Sequence, residues 1–574
     1  MKFKIYFFIS FLIIVLLFIG CGKKDNESAA INSEEVKKME AEYTRFVDSL
    51  MNIVKPVYRN MSLSYFEASV SGKAEDWDRK NKYEMEFNSI MSNKDNFAKV
   101  RKFMDSKLIK DSLKARELTV LYNNLLGMQI DTSKLNAMTK QQSQIEQKYN
   151  TFRTIVGKKK LSDNDVEEIL KSSKDNKYLE QVWTEQKKIG PIVAQDIIKL
   201  VKMRNDAAHE LGFKNYHEMS LKLSEQNPDE ISKLFDELDV MTREAFVKEK
   251  AQMDSILAAG LRIKVDELMP WDYQNRFFQE APKIYNVDID KYYKDIDIVE
   301  TGEKFYRGLD MPIDELVAKS DLFEKPNKNQ HAYCIDIDRD TKDIRVLCNI
   351  KPNADWMETM LHEFGHALYE KYLGNNLPWI IKQPAHTFTT EAIAMMFGRF
   401  AKDPKWMEEE INLSQKDANN IKDACRKTLR LQELVFSRWA QVMYRFEKSM
   451  YENPDQDLNK LWWDLVDKYQ LIKKPVGRNQ PDWATKIHIA SSPCYYHNYL
   501  LGELLASQLY YTIEHKVLNA AGDNTISFVN KPEVGKYLIE NVFKPGDRYI
   551  WDDMIEKATG EKLTPKYYAK QFVN

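Results

Sequence analysis

Apolar residues recur at three- and four-residue intervals along most of the chain beyond residue 34, the spacing of helices that bury one face. The pattern is clearest over Glu34–Val57, Asp95–Leu125, Ser162–Ile189 and Pro228–Ala259, and it predicts a helix over each. One region departs from it. Tyr333–Asp338 and Ile344–Asn349 flank a turn near Asp340–Lys342 and read as the two strands of a hairpin. The chain carries no internal repeat and no low-complexity linker. These patterns together predict a mostly α fold, a single large helical domain over 35–574 with a small hairpin inside it.

Composition supports this reading and narrows the partners. Gly (19) and Pro (18) are scarce in 574 residues, so long helices meet few breakers. The formal net charge is -2 with no basic face, which excludes a nucleic-acid-binding role. The N-terminus is a different object. Lys2 and Lys4 precede an apolar run to Gly20, the layout of a signal peptide over 1–20. Gly20-Cys21 is similar to a bacterial lipoprotein cleavage site, although Phe18 stands where such sites usually carry Leu. Cys21 is then the expected lipidation site, and 21–34 a flexible tether. The expected location is the bacterial cell envelope, with a lipid anchor as the only membrane contact. Of the other cysteines, Cys334 and Cys348 flank the hairpin equidistant from residue 341. A disulfide between them is one reading, two separate buried thiols the favoured one.

The candidate chemistry lies just after the hairpin. Residues 362–366 read His-Glu-Phe-Gly-His. Met357, Met360, Leu361, Phe364 and Leu368 form a helical stripe through the motif, and Gly374 to Pro378 end it. On such a helix His362 and His366 stand one turn apart and reach one ion, which is expected to be zinc, one per chain. Glu363 reaches the attacking water without binding the ion. A third ligand is needed. Tyr369 and Tyr372 occupy the positions that a glycine and a third histidine take in HExxHxxGxxH, so that class is excluded. Glu391, in an otherwise apolar run that starts a second helix at Thr387, is the expected ligand, because a buried carboxylate is costly unless paired or bound to metal. These residue types point to metal-assisted peptide hydrolysis with Glu363 as proton acceptor and donor.

Several spaced blocks then resemble the angiotensin-converting-enzyme family of peptidyl-dipeptidases. They are His331-Ala332, Asp343 to Val346, Cys348, the motif and Glu391 to Ile393. Further blocks are Trp462 to Leu465, Lys468 to Gln470, Lys486-Ile487-His488, and Tyr496 with Tyr499. Arg204-Asn205, Ala207-Ala208 and Gly212-Phe213 match upstream, and Leu563–Phe572 matches the C-terminal end, so the resemblance spans roughly 190 to 574. It implies a helical peptidase domain split by a deep cleft, shielded by N-terminal helices and open to short peptides only. It assigns Tyr499 and His488 as donors to the oxyanion, with Tyr495 a competitor for the role of Tyr499. It also assigns His331 and Ala332 to the edge strand that pairs with substrate backbone, and Lys486 and Tyr496 to the substrate's terminal carboxylate. Three departures stand out. Tyr273 replaces the carboxylate-binding glutamine, Asn498 and Val466 replace the chloride-binding arginines, and Met395 replaces the acid one turn beyond the zinc glutamate. The thimet-oligopeptidase family shares the layout more distantly, and Trp271 to Tyr273 and Tyr499 to Glu503 lean its way. The leading expectation is release of C-terminal dipeptides. Internal cleavage of short peptides is the close alternative, and a non-catalytic peptide-binding lipoprotein the distant one.

Overall fold

Capping chemistry decides where the helices begin and end. In the computed structural model, which describes residues 24–573 except 286 and 521–525, the helix Pro228–Leu261 starts on Asn227, whose side chain accepts from Asp229 N. Two of the expected helices are each broken in two. Asp95–Leu125 splits into Lys94–Ser106 and Ser112–Gly127, because Lys107 turns left-handed (φ 55°) and Asp111 caps a new start. Ser162–Ile189 splits into Asp163–Ser172 and Asn176–Gln186, the second capped by Asp175. The expected signal segment 1–20 and Cys21 lie outside the described residues. The tether expected over 21–34 is helical from Lys24, at the start of a helix that runs to Ser71.

The hairpin forms where expected, Tyr333–Asp338 against Asp343–Leu347, antiparallel. Its turn and a bulge between Asp336 and Asp338 set Cys334 opposite Val346 rather than Cys348. Both thiols are free. A second short hairpin, Thr154–Val156 with Lys159–Leu161, was not anticipated; Gly157 at φ +62° makes its turn.

One large apolar core runs from Met138 to Phe572 and includes Leu361, Phe364 and Leu368 beside Ala392, Ile393 and Phe397. The four N-terminal helices, Lys24–Ser71, Ala74–Met91, Lys94–Ser106 and Ser112–Gly127, gather a second core around Val54, Phe103 and Leu121. Trp379, Ile380 and Ile381 insert into it from the connection that follows the motif helix. The first helix also covers the hairpin. Phe66 packs on Ile337 and Leu347, Tyr65 meets Tyr333, and Lys55 pairs with Asp340 at 2.8 Å. Arg116 bonds Glu225 and Asp547 and ties this group of helices to the rest. The N-terminal helices therefore rest on the two segments that flank the motif.

Candidate metal centre and active site

Three helices meet at the site. The motif helix, Ala354–Lys371, starts on Asn353, whose side chain accepts from Trp356 N. The glutamate helix, Thr387–Gly398, starts on His386 and carries Glu391. The tyrosine helix, His497–Thr512, carries Tyr499. Two glycines let them approach. A Cβ at Gly365 would lie 3.0 Å from Ala394 Cα, and a Cβ at Gly502 would lie 3.2 Å from both Glu391 Cβ and Met395 Sδ. Without side chains at these two crossings, Glu391 comes within reach of both histidines.

His362 Nε2 and His366 Nε2 are 3.3 Å apart. Glu391 Oε2 lies 3.7 Å from the first and 3.9 Å from the second. Zinc–nitrogen bonds of about 2.0–2.1 Å in a tetrahedron place two nitrogens about 3.4 Å apart, so the donor set fits that ion. These three residues are the one cluster of metal-ligand type among the described residues. Burial lowers the pKa of His362 to about 4 and that of His366 well below the usual imidazole value. Both are therefore neutral, the form that binds a metal. Burial pushes Glu391 up to about 7 against a hydrogen bond from Tyr495, with the charge of Glu503 adding to the rise. A dication between these groups restores the carboxylate form.

Glu363 is 8% exposed, beside its ligand neighbour and outside the donor set. Burial and then the charge of Glu391 raise it to about 8, against a hydrogen bond from the Cys334 backbone N–H. The hairpin strand thus steadies the motif's carboxylate.

A second wall gathers Lys486, His488 and the tyrosines. Lys486 Nζ is buried and donates to Gln279 Oε1 at 2.6 Å, over the rings of Phe277, Trp439 and Tyr496. Burial and then Arg276 lower its pKa to about 7. Tyr496 OH accepts from Trp439 Nε1 at 2.8 Å. The His488 ring packs on Tyr496, and its buried Nδ1 has no hydrogen-bond partner among the described residues. Tyr495 OH is engaged by Glu391 and Thr387, both at 3.4 Å. Tyr499 stacks edge-on against Tyr495 and Tyr496, and its hydroxyl makes no hydrogen bond among the described residues. His331 is exposed and Ala332 half-buried just before the strand that starts at Tyr333.

The whole of this arrangement falls inside one family match. The model of the angiotensin-converting enzyme peptidase family covers residues 37–567. The chain belongs to that family. It is a zinc metallopeptidase, and the match reaches well upstream of the blocks that carry the resemblance in sequence, into the N-terminal helices. Similar relatives are the angiotensin-converting enzymes of Haematobia irritans exigua, 23% identical over 71% of this chain and 72% of that protein, and of Theromyzon tessulatum, 22% identical over 52% and 50%. That of Oryctolagus cuniculus is 22% identical over 46% of this chain, which spans only 20% of the rabbit protein.

Against the family pattern, three positions take on physical meaning. Tyr273 does not face Lys486. Its hydroxyl bonds Lys250 and Asp254, and Gln279 is the glutamine beside Lys486. The sequence reading missed it because Gln279 lies in irregular backbone, where no periodicity marks it. Asn498 accepts from Gln226 at 2.9 Å, and Gln226 also meets His497 at 2.7 Å, so neutral groups satisfy that position. Met395 is half-buried and offers no acceptor of carboxylate strength. The polar contact to a zinc imidazole comes instead from Thr390, whose Oγ1 lies 2.7 Å from His366 Nδ1.

Proposed function

We propose that this zinc metallopeptidase removes dipeptides from the free C-terminus of short peptides. The observation that carries the reading is the Lys486–Gln279–Tyr496 group, a buried ammonium, amide and phenol beside His488 and one wall of the site. An ammonium held in so apolar a place is costly, and a carboxylate repays that cost.

His362, His366 and Glu391 would hold the zinc, which would act as a Lewis acid on the scissile carbonyl and lower the pKa of water toward about 7. Glu363 takes the proton of the attacking water and returns it to the leaving amine. Tyr499 and His488, whose hydroxyl and Nδ1 have no hydrogen-bond partner among the described residues, donate to the developing oxyanion. Tyr495 is held by Glu391 and Thr387 and suits the role less well. His331 and Ala332 precede the hairpin ladder, and the half-buried Ala332 offers its peptide groups to an extended substrate. Cys21 carries a lipid that holds the exported enzyme at the bacterial envelope; mass analysis of the mature N-terminal peptide tests this. No helix among the described residues is long and apolar enough to cross a membrane.

The test of the main reading compares peptides with free and amidated C-termini. The free acids lose their last two residues, and amidation slows cleavage sharply. Unchanged rate and cut position on amidation would assign internal cleavage instead.

A further inference from the structure

An imidazole that gives Nε2 to a metal must carry its proton on Nδ1, and that N–H needs an acceptor to hold the ring in place. For His366 the acceptor is a hydroxyl. Thr390 Oγ1 is the polar contact of His366 Nδ1 among the described residues, at 2.7 Å. Threonines in helices commonly turn the hydroxyl back to a carbonyl of the preceding turn. Thr389, next door, does so to His386 O at 2.7 Å, and Thr359 does so to Asp355 O at 2.8 Å. Thr390 instead reaches across to the motif helix. Its neighbour in sequence is Glu391, so one turn of the glutamate helix delivers a metal ligand and the group that steers another. The close crossing at Gly365 and Ala394 fixes the distance between the two helices.

We propose that Thr390 is a positioning residue for the metal centre. It accepts the Nδ1–H of His366, fixes the tautomer and aims the Nε2 lone pair at the zinc. The proposal rests on the zinc reading of the site. It also states what replaces a carboxylate partner in this chain: Met395 cannot serve, and a neutral hydroxyl does. A hydroxyl orients the ring without adding negative charge to a site that already contains Glu363 and Glu391.

The test uses the full chain with two substitutions, Thr390→Val, which keeps the shape and removes the hydroxyl, and Thr390→Ser, which keeps the hydroxyl. Zinc affinity is measured by competition with a chromophoric chelator, and the cobalt-substituted forms are compared by visible absorption. Thr390→Val is expected to bind zinc about 10- to 100-fold more weakly and to shift the cobalt bands. Thr390→Ser is expected to restore both. Wild-type affinity in Thr390→Val overturns the proposal. Equal weakening in both variants also overturns it, since keeping the hydroxyl would then give no protection. A wild-type chain that takes up no zinc overturns the zinc reading itself, and this proposal with it.

Discussion

At the scale of single residues, burial sets the chemistry, and it does so in opposite directions for acids and bases. Glu363 is raised to about 8, while His362 falls to about 4. Both shifts favour neutral groups, and a bound dication returns Glu363 to the ionised form that accepts a proton. Glu363→Gln keeps the size and all three ligands but cannot accept one. Zinc content is expected to stay at the wild-type level, and kcat to fall by about 10²- to 10⁴-fold. Metal analysis alongside steady-state rates checks both halves. Lys486 gives a second prediction, with a definite sign. Its pKa is lowered to about 7, so the ammonium that grips a carboxylate is lost as pH rises through about 7. The ratio of kcat/KM for a free-acid peptide to that for its amide is therefore expected to fall above that pH. Taking the ratio cancels the titration of Glu363, and a flat ratio contradicts the carboxylate grip. The metal ligands and Glu363 were legible in sequence because they sit on two consecutive helices. Gln279 was not, since it lies 207 positions from Lys486 in a loop without period. Thr390 was invisible for another reason: helical spacing does not say which of several threonine hydroxyls turns outward.

At the scale of elements, apolar stripes located the helices but not their breaks. Leu108 and Ile109 carry the stripe across the first break, the polar run 171–177 interrupts it at the second, and the capping aspartates Asp111 and Asp175 were the marks of the new starts. What the stripe does not reveal at all is how closely two helices cross. Gly365 sits inside the motif as a variable position, yet its missing side chain sets the distance from His366 to the glutamate helix. Gly365→Ala adds a methyl 3.0 Å from Ala394 Cα, a backbone atom that cannot swing aside. The helices must part by a few tenths of an ångström. The expected cost is about 1–3 kcal/mol of stability, with weaker zinc binding because Glu391 moves with its helix. Thermal unfolding with and without zinc separates the two effects. If the zinc-dependent gain in Tm equals that of the wild type, the crossing does not control the metal site.

At the scale of the whole molecule, the N-terminal helices and the catalytic half are joined at places that matter to the site. Trp379, Ile380 and Ile381 enter the N-terminal core from the connection between the two ligand-bearing helices. The hairpin strand that steadies Glu363 lies under the first helix. The same integration bears on anion dependence, because an anion that activates from a distance needs a buried cation to bind. At Asn498 the partners are the neutral Gln226 and, through it, His497, whose pKa is held well below the usual imidazole range by burial. Among the described residues, neither of these partners offers a chloride a charge to pair with. The cavity beside Val466 holds two cations, Lys187, whose pKa burial lowers well below the usual amine value against the charge of Asp482, and Arg276, which is paired with Asp163 and Glu167. An anion at that place competes with those carboxylates for Arg276 and meets a Lys187 whose charge burial disfavours. The two positions agree, although one replaces its cation with an amide and the other leaves its cations disfavoured by burial or already paired. Activity is therefore expected to be flat as chloride replaces a larger, weakly binding anion at constant ionic strength. A steep rise in kcat/KM with chloride would contradict this, and its loss in Lys187→Met would place the anion at Lys187.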